Sequence, residues 1–145
     1  MESTNYTNCT ELAGDRERSV SSEGRVYFRK LSYRLPGCAQ KVHRILGPGS
    51  PEAVYHNAFC RELMNEKIPF ESEKVVEVFY DGFLCGEFRM DIVVENKIVL
   101  ELKAVEHLTD EHVAHALSYL KATGLKLAIL INFGRKSLET RRVVL

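Results

Sequence analysis

Three ionisable residues, Asp91, Glu101 and Lys103, have the types and the spacing needed for metal-dependent chemistry. They flank two β-branched runs separated by the polar triplet at 95–97, a pattern typical of a hairpin with a three-residue loop. A turn centred on Asn96 places Asp91 opposite Glu101, and opposed residues share a face with Cβ atoms roughly 4.5–5.5 Å apart. Because strand side chains alternate, Lys103 joins that face. The spacing predicts two carboxylates and an ammonium group side by side.

Two carboxylates at this distance repel each other, and each makes the other harder to ionise. A hard divalent cation between Asp91 and Glu101 would remove the conflict, and oxygen ligands of this kind suit Mg²⁺ or Mn²⁺. The strand continues into the apolar pair Ala104-Val105, which favours a buried location where charges are paired or bind a metal. The alternative is a half-solvated strand whose charged residues face water, and the local pattern leaves both interpretations open.

A helix is predicted to follow the break at 47–49, with Ser50 as its N-cap and Pro51 at its first position. Glu52 shares a stripe with Tyr55 and the apolar residues that follow at helical spacing, so it is predicted to face inward. An acid in the first turn can instead simply complement the helix dipole. Both roles for Glu52 stay open on the sequence alone.

A second helix is predicted from Thr109 to Gly124, and His115 and Tyr119 lie on one stripe of it. With His112 these side chains could suggest zinc, but neither a cysteine nor a carboxylate at suitable spacing completes a ligand set. A polar His115 directed at a neighbouring metal site is the favoured interpretation.

Length and composition predict one ordinary domain at 24–145, preceded by a polar segment at 1–23 that is disordered or dispensable. Neither a membrane span nor a secretory signal is visible, and four scattered cysteines indicate reduced thiols, so we expect a cytoplasmic protein away from membranes. The other predicted elements are a helix at 25–46 interrupted at Pro36-Gly37 and strands at 75–80, 84–94, 98–105, 127–132 and 138–144.

The formal net charge is zero, but the charges are unevenly distributed. Both ends of the chain are basic, whereas the segment 46–120 carries fourteen acids against six bases. If the two ends meet in space, they would form a basic rim around an acidic centre, which suits a metal site acting on a phosphodiester. Ordinary solvated faces are the alternative. The candidate nucleic-acid-binding residues are Arg25, Arg29, Lys30, Lys121, Lys126, Arg135 and Lys136.

The segment Gly49-Ser50-Pro51-Glu52-Ala53-Val54-Tyr55 matches the Gly-x-x-Glu-x-x-Tyr signature of the GxxExxY proteins, a branch of the PD-(D/E)xK nuclease superfamily. The chain resembles this family from about residue 29 to its C-terminus. The resemblance includes Val99-Leu100-Glu101-Leu102-Lys103-Ala104-Val105 and Tyr119-Leu120-Lys121-Ala122-Thr123-Gly124. In one departure, His115 stands where family members typically have Gln, which would make a hydrogen bond there sensitive to pH.

The resemblance implies an α/β, restriction-endonuclease-like fold with a central mixed sheet flanked by helices. It also implies a metal-dependent nuclease with catalytic residues Glu52, Asp91, Glu101 and Lys103. Mg²⁺ or Mn²⁺ would be held by Asp91, Glu101, the Leu102 carbonyl and Glu52, with His115, Tyr55 and Tyr119 as auxiliary residues. Nucleic acid is the expected partner, DNA ahead of RNA, and a homodimer or a partner protein could supply specificity. The alternative is a non-catalytic nucleic-acid-binding or assembly module that retains the fold.

Overall fold

A computed structural model of the protein describes residues 28–145, so the predictions for 1–23, Cys9 and Arg25 lie outside the described residues. Within 28–145 two helices precede three strands, a third helix precedes two more strands, and all five strands form one sheet. In chain order the elements are α1 (Arg29–Leu46), α2 (Glu52–Asn65), β1 (Phe70–Tyr80), β2 (Phe83–Val94), β3 (Ile98–Lys103), α3 (Asp110–Thr123), β4 (Leu127–Asn132) and β5 (Glu139–Val144).

The five strands lie in the order β1-β2-β3-β4-β5, and only β3 and β4 are parallel. Their connection is α3, the crossover that a parallel pair requires. Helices α1 and α2 cover one face of the sheet, over Leu100 and Ile129, while α3 covers the other, over Val99 and Leu130. Both faces of β3 and β4 are therefore buried, which explains their continuous apolar sequences. The predicted mixed sheet flanked by helices is confirmed.

Four predicted boundaries were wrong. Strand β3 ends at Lys103, two residues before the predicted end at 105. Helix α1 continues through Pro36 without a break, because Leu35 and Ala39 on either side are fully buried and their packing outweighs the proline. Helix α2 begins at Glu52, and its N-cap is Pro51 without a side-chain cap, rather than Ser50. Strand β1 begins five residues before the predicted start, at Phe70.

The cysteines in the described part of the chain are free thiols. Burial raises the pKa of both Cys38 and Cys60 to about 11, so these two thiols stay protonated and unreactive. Among residues 28–145, no helix is both long and apolar enough to cross a membrane.

Candidate active site

The hairpin formed by β2 and β3 has the register that the sequence predicted. Ile92 pairs with Leu100 and Val94 pairs with Ile98, and the turn between the strands places Asn96 in the left-handed region at φ 56°. The regular pairing of these strands ends at Ile92 and Leu100. Asp91 and the two residues after Leu100 therefore lie where the strands begin to separate.

Beyond Ile92 and Leu100, hydrogen bonds from backbone amides to side chains replace the hydrogen bonds between the two strands. The backbone N–H of Asp91 donates to Oε2 of Glu101 (3.3 Å), and the N–H of Leu102 donates to Oδ2 of Asp91 (2.8 Å). Met90 and Val93 both pack on the α3 face although they are three residues apart, so the strand's alternation is broken around Asp91. Because of this irregularity, the backbone N–H groups of Asp91 and Leu102 can donate to the carboxylates. The predicted ladder pair of Asp91 with Glu101 is therefore absent, and the two residues are instead joined by the hydrogen bond from the Asp91 backbone to the Glu101 side chain.

Both carboxyl groups resist ionisation. Burial, followed by the charge of Asp91, raises the pKa of Glu101 to about 8, and only 5% of Glu101 is exposed. Burial is also the largest cause of the raised pKa of Asp91, which the hydrogen bond from Leu102 partly offsets. Two neighbouring buried carboxyl groups with raised pKa values are characteristic of a functional site. Within residues 28–145, no hydrogen bond reaches Oδ1 of Asp91 or Oε1 of Glu101, so each has an oxygen available.

Lys103 ends β3, and its positive charge lowers the pKa of both Asp91 and Glu101. Its backbone pairs with Asn132 of β4, and its carbonyl accepts a hydrogen bond from the N–H of Phe133 (2.8 Å). The backbone of Lys103 is therefore fixed by the sheet, while its half-buried side chain shares the electrostatic environment of the carboxylates.

Helix α2 brings two side chains towards the carboxylates, and only one was predicted. Glu52 is exposed rather than on the buried stripe of Tyr55, because the first turn of α2 extends past the core. Its charge still raises the pKa of both Asp91 and Glu101. His56, which the sequence did not single out, lies one turn later and its charge lowers the pKa of Asp91. The i, i+4 spacing from Glu52 was the signal that could have identified it.

The imidazole of His56 is held in place by β1. Its Nε2 lies 3.2 Å from Oγ of Ser72, and Ser72 pairs with Ile92, the residue after Asp91. A half-buried ring fixed in this way has a defined direction relative to the carboxylates. His56 and Ser72 therefore join the candidate site.

Helix α3 contributes Tyr119, whose ring packs against Phe88 (5.1 Å between centroids) and whose hydroxyl donates to the carbonyl of Arg89 (3.4 Å). Burial, together with the charges of Glu101 and Asp91, raises the pKa of Tyr119 to about 12. His115 is exposed, with its ring centroid 4.9 Å from that of Tyr119. Tyr119 thus closes the α3 side of the site, and His115 lies at its outer edge.

Tyr55 has a different position from the other candidates. It is fully buried, its ring stacks on Phe133 at 4.6 Å, and its hydroxyl donates to the carbonyl of Gly47. The same hydroxyl accepts a hydrogen bond from the N–H of Ser50 (3.1 Å). Tyr55 therefore holds the loop between α1 and α2, from which Glu52 begins the second helix.

Asn132 is a buried polar residue that organises the loops at this end of the sheet. Its Oδ1 accepts from the N–H groups of Val105 (2.9 Å) and Gly134 (3.0 Å), and its Nδ2 donates to the Val105 carbonyl and to Glu139. The hydrogen bond from Asn132 is the main cause of the lowered pKa of Glu139. Because Asn132 pairs with Lys103, this network fixes the chain immediately beyond the candidate site.

The basic candidates do not gather around the carboxylates. Lys126 directly precedes Leu127, which pairs with Ile98, roughly 16 Å along the strand from Lys103 at about 3.3 Å per residue. Lys121 lies in the last turn of α3, five residues before Lys126. Arg29 and Lys30 begin α1 beside Phe28, whose ring lies 5.5 Å from Nζ of Lys97 in the β2–β3 turn, and they are also at the far end. Arg135 and Lys136, in the loop after β4, are the basic candidates on the site side.

The described residues contain no group of three or more His, Cys, Asp or Glu side chains placed to enclose a metal ion. The predicted third carboxylate, Glu52, thus acts on Asp91 and Glu101 through its charge rather than as a neighbouring ligand. Two carboxylates with one available oxygen each still fit Mg²⁺, which usually keeps several waters and takes only one or two protein carboxylates.

A mixed sheet flanked by helices, with paired carboxylates where β2 and β3 separate and a lysine two residues further on, defines a restriction-endonuclease-like α/β protein. A sequence profile of the PD-(D/E)XK nuclease superfamily matches residues 29–143. The chain belongs to the PD-(D/E)XK nuclease superfamily.

Two solved structures resemble this one. The crystal structure of SSO0001 is 17% identical over 63% of this chain and 48% of its own, with a TM-score of 0.53. The present chain thus spans about half the length of SSO0001. An alkaline exonuclease (LHK-Exo) from Laribacter hongkongensis is 10% identical over 77% of this chain and 69% of its own, with a TM-score of 0.35. The chain matches none of the curated proteins with which it was compared.

Proposed function

We propose that this protein is a metal-dependent nuclease that hydrolyses phosphodiester bonds of nucleic acid, with DNA favoured over RNA. The observation that carries the proposal is the pair of neighbouring carboxyl groups of Asp91 and Glu101, which accept hydrogen bonds from the backbone amides of Leu102 and Asp91 and have raised pKa values beside Lys103. Membership of the nuclease superfamily supports the same class of reaction. A hydrolase acting on phosphodiesters is the function that accounts for both.

The residues present fit a divalent cation, Mg²⁺ or Mn²⁺. Asp91 and Glu101 would hold it, with the Leu102 carbonyl as a further oxygen and Glu52 reaching it through water. When bound, such a cation polarises a phosphate oxygen and lowers the pKa of a water molecule. The two carboxyl groups must both be ionised to bind it, so binding releases protons and strengthens as the pH rises towards 8.

The other side chains of the site have roles that need no metal ligation. Lys103 orients the attacking water and stabilises the negative charge that develops on the phosphate. His56, held by Ser72, is placed to donate a hydrogen bond to a phosphate oxygen from the α2 side. Tyr119 excludes water on the α3 side, and His115 contributes a hydrogen bond at the outer edge.

We propose that the protein belongs to the GxxExxY branch of the superfamily. The signature residues Gly49, Glu52 and Tyr55 support this assignment, because the buried Tyr55 hydroxyl holds the loop at 47–50 from which Glu52 enters the site. In this arrangement the signature residues fix the position of α2.

The test compares wild type with Lys103→Ala on single- and double-stranded DNA and RNA, with Mg²⁺, Mn²⁺ or EDTA. Lys103→Ala should reduce cleavage at least 100-fold, since one group that stabilises the transition state commonly contributes that much. Arg61→Ala is the matched control, because it removes an exposed positive charge from α2 away from the carboxylates. Equal cleavage by wild type and Lys103→Ala would place the activity elsewhere.

Metal binding is measured separately, by the shift of the melting temperature with Mg²⁺ or Mn²⁺. The shift should remain in Lys103→Ala and disappear in the double variant Asp91→Asn/Glu101→Gln. If wild type binds nucleic acid but cleaves none of the substrates with either metal, the protein is a non-catalytic binding module and the proposal fails.

A further inference from the structure

Strands β1 and β2 extend well beyond the rest of the sheet. They pair with each other from Phe70 and Val94 out to Tyr80 and Phe83, whereas β3 pairs with β2 only from Ile92 to Val94. We call residues 75–88 the arm. It is a two-stranded ribbon about 20 Å long at roughly 3.3 Å per residue. Isolated ribbons of this kind are at best marginally stable in water.

Within its own chain the arm has support on one side only. Val76 and Phe88 pack against the cluster beneath α3, where Phe88 contacts Tyr119. The support ends beyond Val78, because residues 79–87 are all exposed.

The tip of the arm exposes apolar side chains on both of its faces. Phe79 pairs with Leu84 and Tyr80 pairs with Phe83. Opposed residues share a face and successive pairs point to opposite faces, so each face of the tip carries one apolar pair. Their exposures are 58% for Phe79, 77% for Tyr80, 72% for Phe83 and 51% for Leu84. A cluster of four large exposed apolar residues is typical of an interaction surface.

The charge of the arm indicates the kind of partner. Glu77, Asp81 and Glu87 are its charged residues, so the arm is acidic. Glu77 pairs directly with Glu87, and like charges placed opposite each other on a strand pair are destabilising. Basic groups from a partner would relieve this repulsion, whereas phosphates would add to it. Nucleic acid is therefore a poor ligand for the arm.

Helix α1 of the same protein has the complementary surface. It carries five basic residues and no acidic one, and Tyr33 and Ile45 on it are 83% and 71% exposed. At 1.5 Å per residue its 18 residues span about 27 Å, enough to receive the arm. Arg34 and Lys41 form ion pairs with Glu66 and Glu62. Among the described residues none forms an ion pair with Arg29, Lys30 or Arg44.

We propose that the arm of one copy docks along α1 of a second copy, and that the second copy's arm docks on the first in the same way. The tip side chains would pack on the exposed apolar residues of α1, and Glu77 and Glu87 would face its basic residues. The exchange gives a two-fold symmetric dimer, in which both copies bury the same two surfaces. This dimer does not depend on the proposed nuclease activity.

The experiment measures the mass of the full chain by sedimentation velocity from about 1 to 100 μM protein, without metal or nucleic acid. Wild type should sediment as a dimer. The arm variant Glu77→Lys/Glu87→Lys and the helix variant Arg29→Glu/Lys30→Glu should each dissociate at least ten times more readily, because each homodimer would oppose like charges. Glu111→Lys, an exposed change on α3, is the control and should leave the dimer unchanged.

Mixing the two charge variants gives the decisive result. In a heterodimer the lysine-bearing arm meets the glutamate-bearing helix, and the wild-type arm meets the wild-type helix, so both contacts are complementary again. The mixture should therefore restore the dimer that each variant alone has lost. Phe79→Ser/Phe83→Ser should also weaken the dimer. Mixing this variant with either charge variant should not restore the dimer.

A wild type that stays monomeric up to 100 μM overturns the proposal, as does a mixture of charge variants that does not re-form the dimer. Because mass is measured without substrate, a failure of the proposed nuclease activity leaves this result unaffected.

Discussion

Strand β2 passes through two regions that differ in which side chains are buried and which are exposed. At its inner end polar groups are buried or half-buried, and the carboxyl groups of Asp91 and Glu101 accept hydrogen bonds from the backbone amides of Leu102 and Asp91. At its outer end, in the arm, large apolar groups such as Tyr80 and Phe83 are exposed. Burying a carboxylate and exposing an aromatic ring both cost stability, so each departure indicates a ligand or partner. The comparison separates a region suited to chemistry from a region suited to association.

The two regions should differ most in their tolerance of added volume. A Cβ at Gly134 would lie 2.5 Å from the Val105 carbonyl oxygen, whereas a Cβ at Gly86 in the arm would have nothing within 4 Å. Gly134→Ala should therefore lower the free energy of unfolding by about 3 kcal/mol or more, because backbone must move. Gly86→Ala, the matched control, should change it by less than about 0.5 kcal/mol. Urea unfolding of both variants measures the difference, and equal values would contradict the contrast.

The pH dependence of stability should come from the buried carboxylates. The pKa of Glu101 is about 8 in the folded protein against 4.5 normally, so between these values the folded state binds more protons than the unfolded state. The free energy of unfolding without metal should therefore fall as the pH rises from 5 to 8, by on the order of 2 kcal/mol.

Glu101→Gln is the control, because it removes the titrating group and should flatten this dependence. Saturating Mg²⁺ should also oppose the loss at pH 8, since the ion binds the ionised pair. The measurement is urea unfolding in EDTA at several pH values. A wild-type slope equal to that of Glu101→Gln would show that this carboxyl group is not held protonated by the fold.

The smallest effect we expect is at His56, at the edge of the polar region. His56→Gln should reduce kcat/KM for nucleic-acid cleavage about tenfold, or about 1.4 kcal/mol, while the metal-induced shift in melting temperature stays unchanged. Ser72→Ala should give a smaller loss, because it only releases the ring. Asn57→Gln, on the exposed side of α2, is the control and should cleave like wild type. Wild-type cleavage by His56→Gln would limit the site to Asp91, Glu101 and Lys103.

Local patterns explain which parts of this arrangement the sequence could predict. The β2–β3 register followed from alternation on both sides of a polar triplet, and it correctly brought Asp91 close to Glu101, although the ladder itself ends one pair earlier, at Ile92 and Leu100. The course of α1 through Pro36 could not be predicted in this way, because it depends on the burial of neighbouring residues beneath the sheet. The exposed position of Glu52 was missed for a related reason. Its helical spacing from Tyr55 indicates a shared face of α2 but does not show where along the helix the core ends.

The basic rim shows a further limit of the sequence. Charges at the two ends of a chain meet only if the topology brings those ends together, and the sheet instead separates Lys126 from Arg135 by the length of β4. The sequence also could not reveal that Ser72 would fix His56, because their contact joins residues from two elements.

The hydrogen bonds of Asn132 have a consequence for the slow motions of the protein. Val105 and Gly134 lie in loops, where amide hydrogens normally exchange with solvent through small local openings. Here both amides donate to a side chain that is itself fully buried between strands. Their hydrogens can be released only when that part of the sheet opens, so both should exchange with deuterium as slowly as the amides of β3 and β4. The loops beside Lys103 thus belong to the slowest-opening unit of the molecule.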